Sequence, residues 1–263
     1  MQQAHTRRRF VQLIAGGTLL AAGRAAAAEP ARIARLIKAA QSHARISQRI
    51  DFISSALLGL KYQAHTLIGG PNRPEVLVVR EDAFDCVTYC ETVLAAALVK
   101  DVAAFQAALR RIRYDRGQVA WDRRNHYFAE WGKRNVENGI CRRVPMEPAV
   151  DIDKTVSWYP NLGRRQVSMR AIPRATLMAN RRLLTSGDII GFVSQRPSLD
   201  FYHTGFVVLK GGAVMLRHAS QSRGRVIEET MDTFIAVNGV QYVTLLRAAD
   251  PDPAPGAVAG EKT

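Results

Sequence analysis

Three cysteines and a pair of histidines carry most of the reactive chemistry in this 263-residue chain. Cys86 and Cys90 sit four residues apart in AFDCVTYCET, directly after Asp85, and Cys141 is the third. Four roles are open to the first two: nucleophile, metal pair, half of a disulfide, or plain core. Asp85 is a favourable N-cap, because its carboxylate accepts backbone N–H groups that a helix start leaves unpaired. Cys86 is then the first helical residue, where the N–H groups and the helix dipole favour a thiolate and can hold a developing oxyanion. Cys90 falls on the same stripe as Val87 and Leu94 and reads as a small core residue. A cysteine nucleophile needs a base. His203 and His218 lie fifteen residues apart, one at the start of HTGFVVLK and the other late in AVMLRHAS. A tight Gly211-Gly212 turn between the two segments brings both imidazoles to one face, where one can act as base and the other orient it. Taken singly, either histidine reads as an ordinary core or surface residue. Cys86, Cys90, His203 and His218 also make four potential zinc ligands, although C-x-x-x-C is not the usual zinc spacing. A Cys90–Cys141 disulfide, with Cys86 left free, stays open as well.

Positioning these groups requires helices followed by strands. Ile33, Leu36 and Ile37, then Ile46, Ile50, Ile53 and Leu57, recur at helical spacing and predict helix through 30–60. The run GGPNRP (69–74) marks a loop and EVLVVR (75–80) an extended segment. A second helix opens at Asp85 and ends near Lys100. A third covers 101–113 through Val102, Phe105, Leu109 and Ile112. Beyond 186 the pattern turns to β: SGDIIGFVS, the His203–His218 hairpin, RVIEET and GVQYVTLLR. Residues 142–175 are rich in Arg and Pro and show no period, so the region near 115–180 reads as an irregular insertion. The expected class is α+β: one domain over 29–249 and a disordered tail over 250–263.

The N-terminus reads as an export signal over 1–28. TRRRFVQ supplies the charged part, LIAGGTLLAAG an apolar run too short to span a bilayer, and AAAA the small-residue cleavage site. Arg7, Arg8 and Arg9-Phe10 resemble the twin-arginine signal; an ordinary secretory signal with an Arg-rich start is the other reading. The implied location is the periplasm or cell envelope, reached through machinery for folded cargo, with no stable membrane anchor. The whole chain has 37 basic and 23 acidic residues, a formal charge of +14. Residues 1–28 take four arginines and no acid with them, which leaves +10. Such a protein can meet anionic wall or headgroups. Its basic residues are scattered rather than striped with aromatics, which argues against nucleic acid.

Together, Asp85-Cys86, SGDIIGF, HTGFVV and RHAS resemble NlpC-like cell-wall cysteine hydrolases. The stretches FDCVTYCET, RNHYFAEW and LGLKY are similar to those of their N-acetylmuramoyl-L-alanine amidase-like branch. The resemblance spans about residues 50–247. It implies a papain-like core with an antiparallel sheet, Cys86 as nucleophile, His203 as base and His218 as the orienting group. It implies a substrate-binding set of Tyr62, Asp85, His126, Tyr127, Glu130 and Trp131; a buried aromatic cluster is the other reading of the last four. No cofactor or metal is expected. The implied substrate is peptidoglycan or a muropeptide, cut at the N-acetylmuramoyl-L-alanine amide. The same triad serves a γ-D-glutamyl stem-peptide endopeptidase, and a non-catalytic wall-binding module is the third reading.

Overall fold

The structure is a computed structural model that describes residues 31–250. The export-signal reading of 1–28 and the tail reading beyond Asp250 lie outside the described residues. Among the described residues the fold is mixed α/β: seven α-helices and a large, mostly antiparallel sheet. The predicted N-terminal helical stretch is two helices, α1 (Ala31–Ala40) and α2 (Ile46–Ala56), broken at residues 41–45. There the Gln41 side chain donates both to the Ile37 carbonyl of α1 and to the Val99 carbonyl beyond the helix pair. Four short strands follow: β1 (Lys61–Tyr62), β2 (Ile68–Gly70), β3 (Arg73–Val76) and β4 (Ala83–Phe84). The expected extended run 75–80 is a strand only to Val76. Beyond it the Val78 carbonyl accepts from Arg113 instead of a neighbouring strand.

Helix α3 (Cys86–Leu98) is buried on all sides over Thr88–Ala97, as befits a central helix rather than a surface one. Its one charged residue, Glu91, is tolerated because Arg113 meets it at 2.7 Å. Arg113 ends α4 (Phe105–Arg113), which follows a single 3-10 turn over Val102–Ala104.

The middle of the chain is more regular than its composition suggests. It holds α5 (Phe128–Glu137), β5 (Cys141–Arg143), β6 (Val150–Val156), β7 (Arg165–Pro173) and α6 (Arg174–Ala179). Strands β6 and β7 pair over seven registered positions. β7 alternates from Gln166 to Ala171, with Val167, Met169 and Ala171 inward, and Ile172 is buried on the other face. β6 is the sheet edge and shows mostly polar residues, which is why no period is visible.

The C-terminal part holds the expected strands, β8 (Ile189–Val193), β9 (Phe201–Lys210), β10 (Ala213–Ser220), β11 (Arg225–Thr230) and β12 (Tyr242–Ala248), and between the last two a helix that was not expected, α7 (Met231–Asn238). The sheet runs β4-β1-β11-β10-β9-β8-β12-β7-β6, with β5 beside β12. The pleat divides its neighbours between two cores. Ile189, Phe206 and Leu246 face the core built on α1–α5, while Ile190, Val207 and Leu245 face the one under α6 and α7. Asp188 of the Gly-Asp segment is fully buried and receives Arg247 at 2.6 Å, tying the start of β8 to β12.

Candidate active site

Asp85 caps α3 as its type predicts. Its carboxylate accepts from the Thr88 N–H at 2.7 Å and the Thr88 hydroxyl at 2.8 Å, and its own N–H donates to the Thr88 hydroxyl at 3.0 Å. The reciprocal bonds fix the chain direction at the helix start and so place Cys86 in the first turn. The thiol faces the backbone N–H of Thr204 as well as those of Cys86 and Val87. Thr204 directly follows His203 on β9, so the helix start is docked against the strand that carries the imidazole.

One sequence expectation is reversed here. The helix start does lower the thiol pKa through those N–H groups. Burial, and next the Asp85 charge, act the other way and prevail, pushing Cys86 up to about 12. At neutral pH the resting sulfur is therefore a thiol.

His203 and His218 meet as the hairpin predicts. His203 Nε2 lies 2.6 Å from His218 Nδ1, with the rings edge-on at 88°. The approach depends on Gly205, where a Cβ would stand 2.8 Å from that of His218 and 2.9 Å from the Arg217 carbonyl. Phe234 of α7 packs against both rings, 5.4 Å from each. Burial, then the neighbouring imidazole, lowers the His203 pKa to about 3. Burial also lowers that of His218, against the opposing pull of Glu229. Both imidazoles are neutral at pH 7. Among the described residues no hydrogen bond joins Cys86 to His203, a looseness common before substrate binds.

Glu229, which the sequence reading did not single out, accepts from His218 Nε2 at 2.9 Å. Leu216 is registered opposite Glu229 across β10–β11, so the pair is diagonal, two residues out of register. Once β10 and β11 are paired in this register, period-two alternation places Glu229 on the His218 face.

A cleft of about 360 Å³ opens beside Asp85 and Val87. Its wall includes His126, Arg113, Arg124, Tyr159 and Asn161. His126 donates through Nε2 to the Trp121 carbonyl at 2.7 Å and packs between Trp121 and Tyr159. Burial first lowers its pKa to about 4. Tyr62 of β1 stands within electrostatic reach of Cys86 and Asp85; burial, then those two charges, raise its phenol to about 12. Tyr159, from the segment without a readable period, also reaches Cys86 and Asp85. Tyr127 is buried beneath it, ring centroids 5.3 Å apart, and its hydroxyl accepts from the Tyr159 N–H at 3.4 Å.

The rest of the candidate set lies elsewhere. Trp131 is wholly buried, stacked on Phe128. Glu130 pairs with Arg165 at 2.9 Å in a separate groove of about 620 Å³ between α5 and the β6–β7 hairpin. That groove is larger than the cleft but contains no cysteine or histidine. Cys90 is core, its sulfur 3.9 Å from the Thr204 hydroxyl, and all three cysteines are free. Among the described residues, no three His, Cys, Asp or Glu side chains are grouped to hold a metal, and no helix is long and apolar enough to cross a membrane.

A free cysteine at a helix start thus lies against antiparallel strands that carry two bonded histidines. The AmiA-like family model, described as N-acetylmuramoyl-L-alanine amidase-like, matches residues 52–239, and the chain belongs to that family. The fold is similar to a crystal structure of an N-acetylmuramoyl-L-alanine amidase from Bacteroides uniformis, at 26% identity and a TM-score of 0.68, covering 77% of this chain and 98% of that one. It is also similar to protein LPG0564 from Legionella pneumophila, at 21% identity and a TM-score of 0.72, covering 83% and 94%; that likeness concerns the fold alone. None of the curated proteins matches the chain.

Proposed function

We propose that the protein is a cysteine amidase that hydrolyses the N-acetylmuramoyl-L-alanine bond of peptidoglycan fragments. The observation that carries this reading is the docking of Cys86 beside Thr204, next to the bonded His203–His218 pair. Family membership supports the choice of bond: the family is described as N-acetylmuramoyl-L-alanine amidase-like, and a 26% identical relative is described as such an amidase. The papain-like, NlpC-type core implied by the sequence motifs is part of the proposal, supported by a helix bearing the cysteine against a mostly antiparallel sheet bearing the histidines.

In this mechanism His203 takes the Cys86 proton as the sulfur attacks the lactyl carbonyl carbon. The carbonyl electron pair moves to oxygen, where the Cys86 backbone N–H receives it. Collapse expels the alanine nitrogen, which His203 protonates, and a thioester remains. Water, deprotonated by the same imidazole, then releases the muramyl acid and the thiol. Because the thiol is neutral at rest, proton removal belongs to the attack itself. No metal or cofactor takes part. Asp85, His126 and Tyr159 line the substrate cleft, Tyr62 stands within electrostatic reach of Cys86 and Asp85, and Tyr127 supports Tyr159 from below. The Arg-rich start and apolar run within residues 1–28 support export, through machinery for folded cargo, to the periplasm or cell envelope, where such a substrate resides.

Residues 29–263 and their Cys86→Ala variant, incubated with purified muropeptides, provide the test by mass spectrometry. Free stem peptide and unsubstituted muramyl sugar are expected with the first protein and neither with the second. Cleavage within the stem would replace this reading with the endopeptidase, and binding without cleavage would replace it with a wall-binding module.

A further inference from the structure

We propose that Glu229 is a positioning residue that fixes the tautomer of both imidazoles, so that the unprotonated Nδ1 of His203 is the atom left to accept the Cys86 proton. The inference rests on the cysteine-amidase reading for its function, but its structural content is independent of that reading.

The argument follows from which atoms can donate. An ionised carboxylate only accepts. Glu229 Oε1 lies 2.9 Å from His218 Nε2, so that nitrogen must carry the hydrogen. A neutral imidazole holds one hydrogen, which leaves His218 Nδ1 as an acceptor. His203 Nε2, 2.6 Å away, must then be the donor, and His203 Nδ1 keeps its lone pair. One carboxylate thus sets two rings in series. Without it the His203–His218 bond can form with either ring donating, and in the reverse arrangement His203 Nδ1 carries hydrogen and cannot act as base. When the base takes a proton, the positive charge is shared along the same chain toward Glu229.

The carboxylate serves this purpose without competing cations. Arg217 and Lys210 bond Glu228, the next residue, on the opposite face of β11. Lys61 of β1 is registered against Arg225, at the far end of the strand. Asp232 of α7 is paired with Arg181. Glu229 is 28% exposed in its side chain, and among the described residues its carboxylate bonds only the neutral His218 ring and meets no cation, so a role in holding the fold is slight. Its negative charge favours a protonated imidazole pair, and removing it lowers the pH at which that pair takes up a proton.

The test labels histidine with ¹⁵N and reads tautomers by NMR at pH 7 in the wild type, Glu229→Leu and the isosteric Glu229→Gln. In the wild type both rings should show a protonated Nε2 and a bare Nδ1. Glu229→Leu should show mixed tautomers at His203. On muropeptide, kcat should fall roughly 10- to 100-fold in both variants with KM within about twofold, and the acid limb of the pH profile should move to lower pH. Glu228→Gln, on the other face, should leave the spectrum and the pH profile unchanged. His203 resonances that do not change in Glu229→Leu would overturn the proposal, as would an acid limb that stays in place in Glu229→Gln. A wild type with the expected spectrum but no amidase activity would refute the amidase reading and leave the tautomer assignment standing.

Discussion

Strands β10 and β11 carry two polar assemblies, one on each face, built from adjacent residues. Arg217 and Glu228 face the helices: Arg217 bonds Glu228 at 2.6 Å, and the Asp51 carboxylate at 2.8 Å and the Ser54 hydroxyl at 2.7 Å on α2. His218 and Glu229 face the other way, toward His203. The first assembly is permanently charged. Burial alone would raise the Glu228 pKa, but the bonds from Arg217 and Lys210 outweigh it and hold the carboxyl below its usual range. The second contains no cation, and both its imidazoles are neutral at pH 7. Fixed charge suits a clamp, since its bonds must not change with conditions. Neutral, mutually bonded rings suit proton transfer, since either protonation state lies within reach. The two faces should therefore fail in different ways when broken.

The largest effect expected is on the site face. His203→Ala should lower kcat/KM by about 10³-fold, near 4 kcal/mol of transition-state stabilisation, with a fall in the denaturation midpoint at pH 7 from the lost packing on Phe234 and the lost bond to His218. It should also change the pH dependence of stability. The folded-state pKa of His203, about 3, lies below its ordinary 6.5. Between those values the unfolded chain binds more protons, so stability falls as pH drops from 6.5 toward 3. Chemical denaturation of wild type and variant across that window should show a shallower fall in the variant. If both curves coincide, His203 is not held neutral by the fold.

The helix face should show a different pattern. Arg217→Met removes the buried cation from beneath α2. Breaking a buried pair typically costs 3–5 kcal/mol. Because Lys210 still reaches Glu228 at 3.1 Å and Asp51 is 43% exposed, the lower end, about 3 kcal/mol, is expected. Denaturant titration measures this. The acid limb of muropeptide cleavage by the folded fraction should stay where it is in the wild type. A shifted limb would show that the two faces are coupled through the strands, and the contrast between them would collapse.

Most of the site face was legible in the sequence because its signals are local. Asp85 before Cys86 announces a cap, and Gly211-Gly212 between alternating runs announces the hairpin that joins His203 to His218. The family resemblance then ordered these pieces. The helix face was not legible: nothing near Arg217 in sequence indicates Asp51, 166 residues away. Glu229 was missed for a milder reason, since it needs a register between strands rather than a pattern within one. Tyr159 and the β6–β7 hairpin were hidden by an edge strand whose mostly polar face resembles a loop. The thiol pKa was misjudged because the helix start is visible in sequence, whereas the burial that overrides it is a property of the packed fold.

The smallest effect concerns Asp85, where structure and chemistry meet in one side chain. Its carboxylate caps α3 through Thr88, and its charge ranks second, after burial, among the causes that raise the Cys86 thiol. Asparagine separates the two contributions: its amide oxygen still accepts from the Thr88 N–H, and Asn caps about as well as Asp. Asp85→Asn should therefore leave stability within about 0.5 kcal/mol, whereas Asp85→Ala should lose about 1 kcal/mol. Both should lower the thiol pKa, because each removes a negative charge beside a group that ionises to an anion. The rate of iodoacetamide labelling at Cys86, followed by peptide mass mapping so that Cys90 and Cys141 are excluded, should rise at lower pH in both variants than in the wild type. Were the labelling profile to move in Asp85→Ala but not in Asp85→Asn, the shift would belong to a loosened helix start instead of to the charge. The cap alone would then account for the Asp-Cys pair.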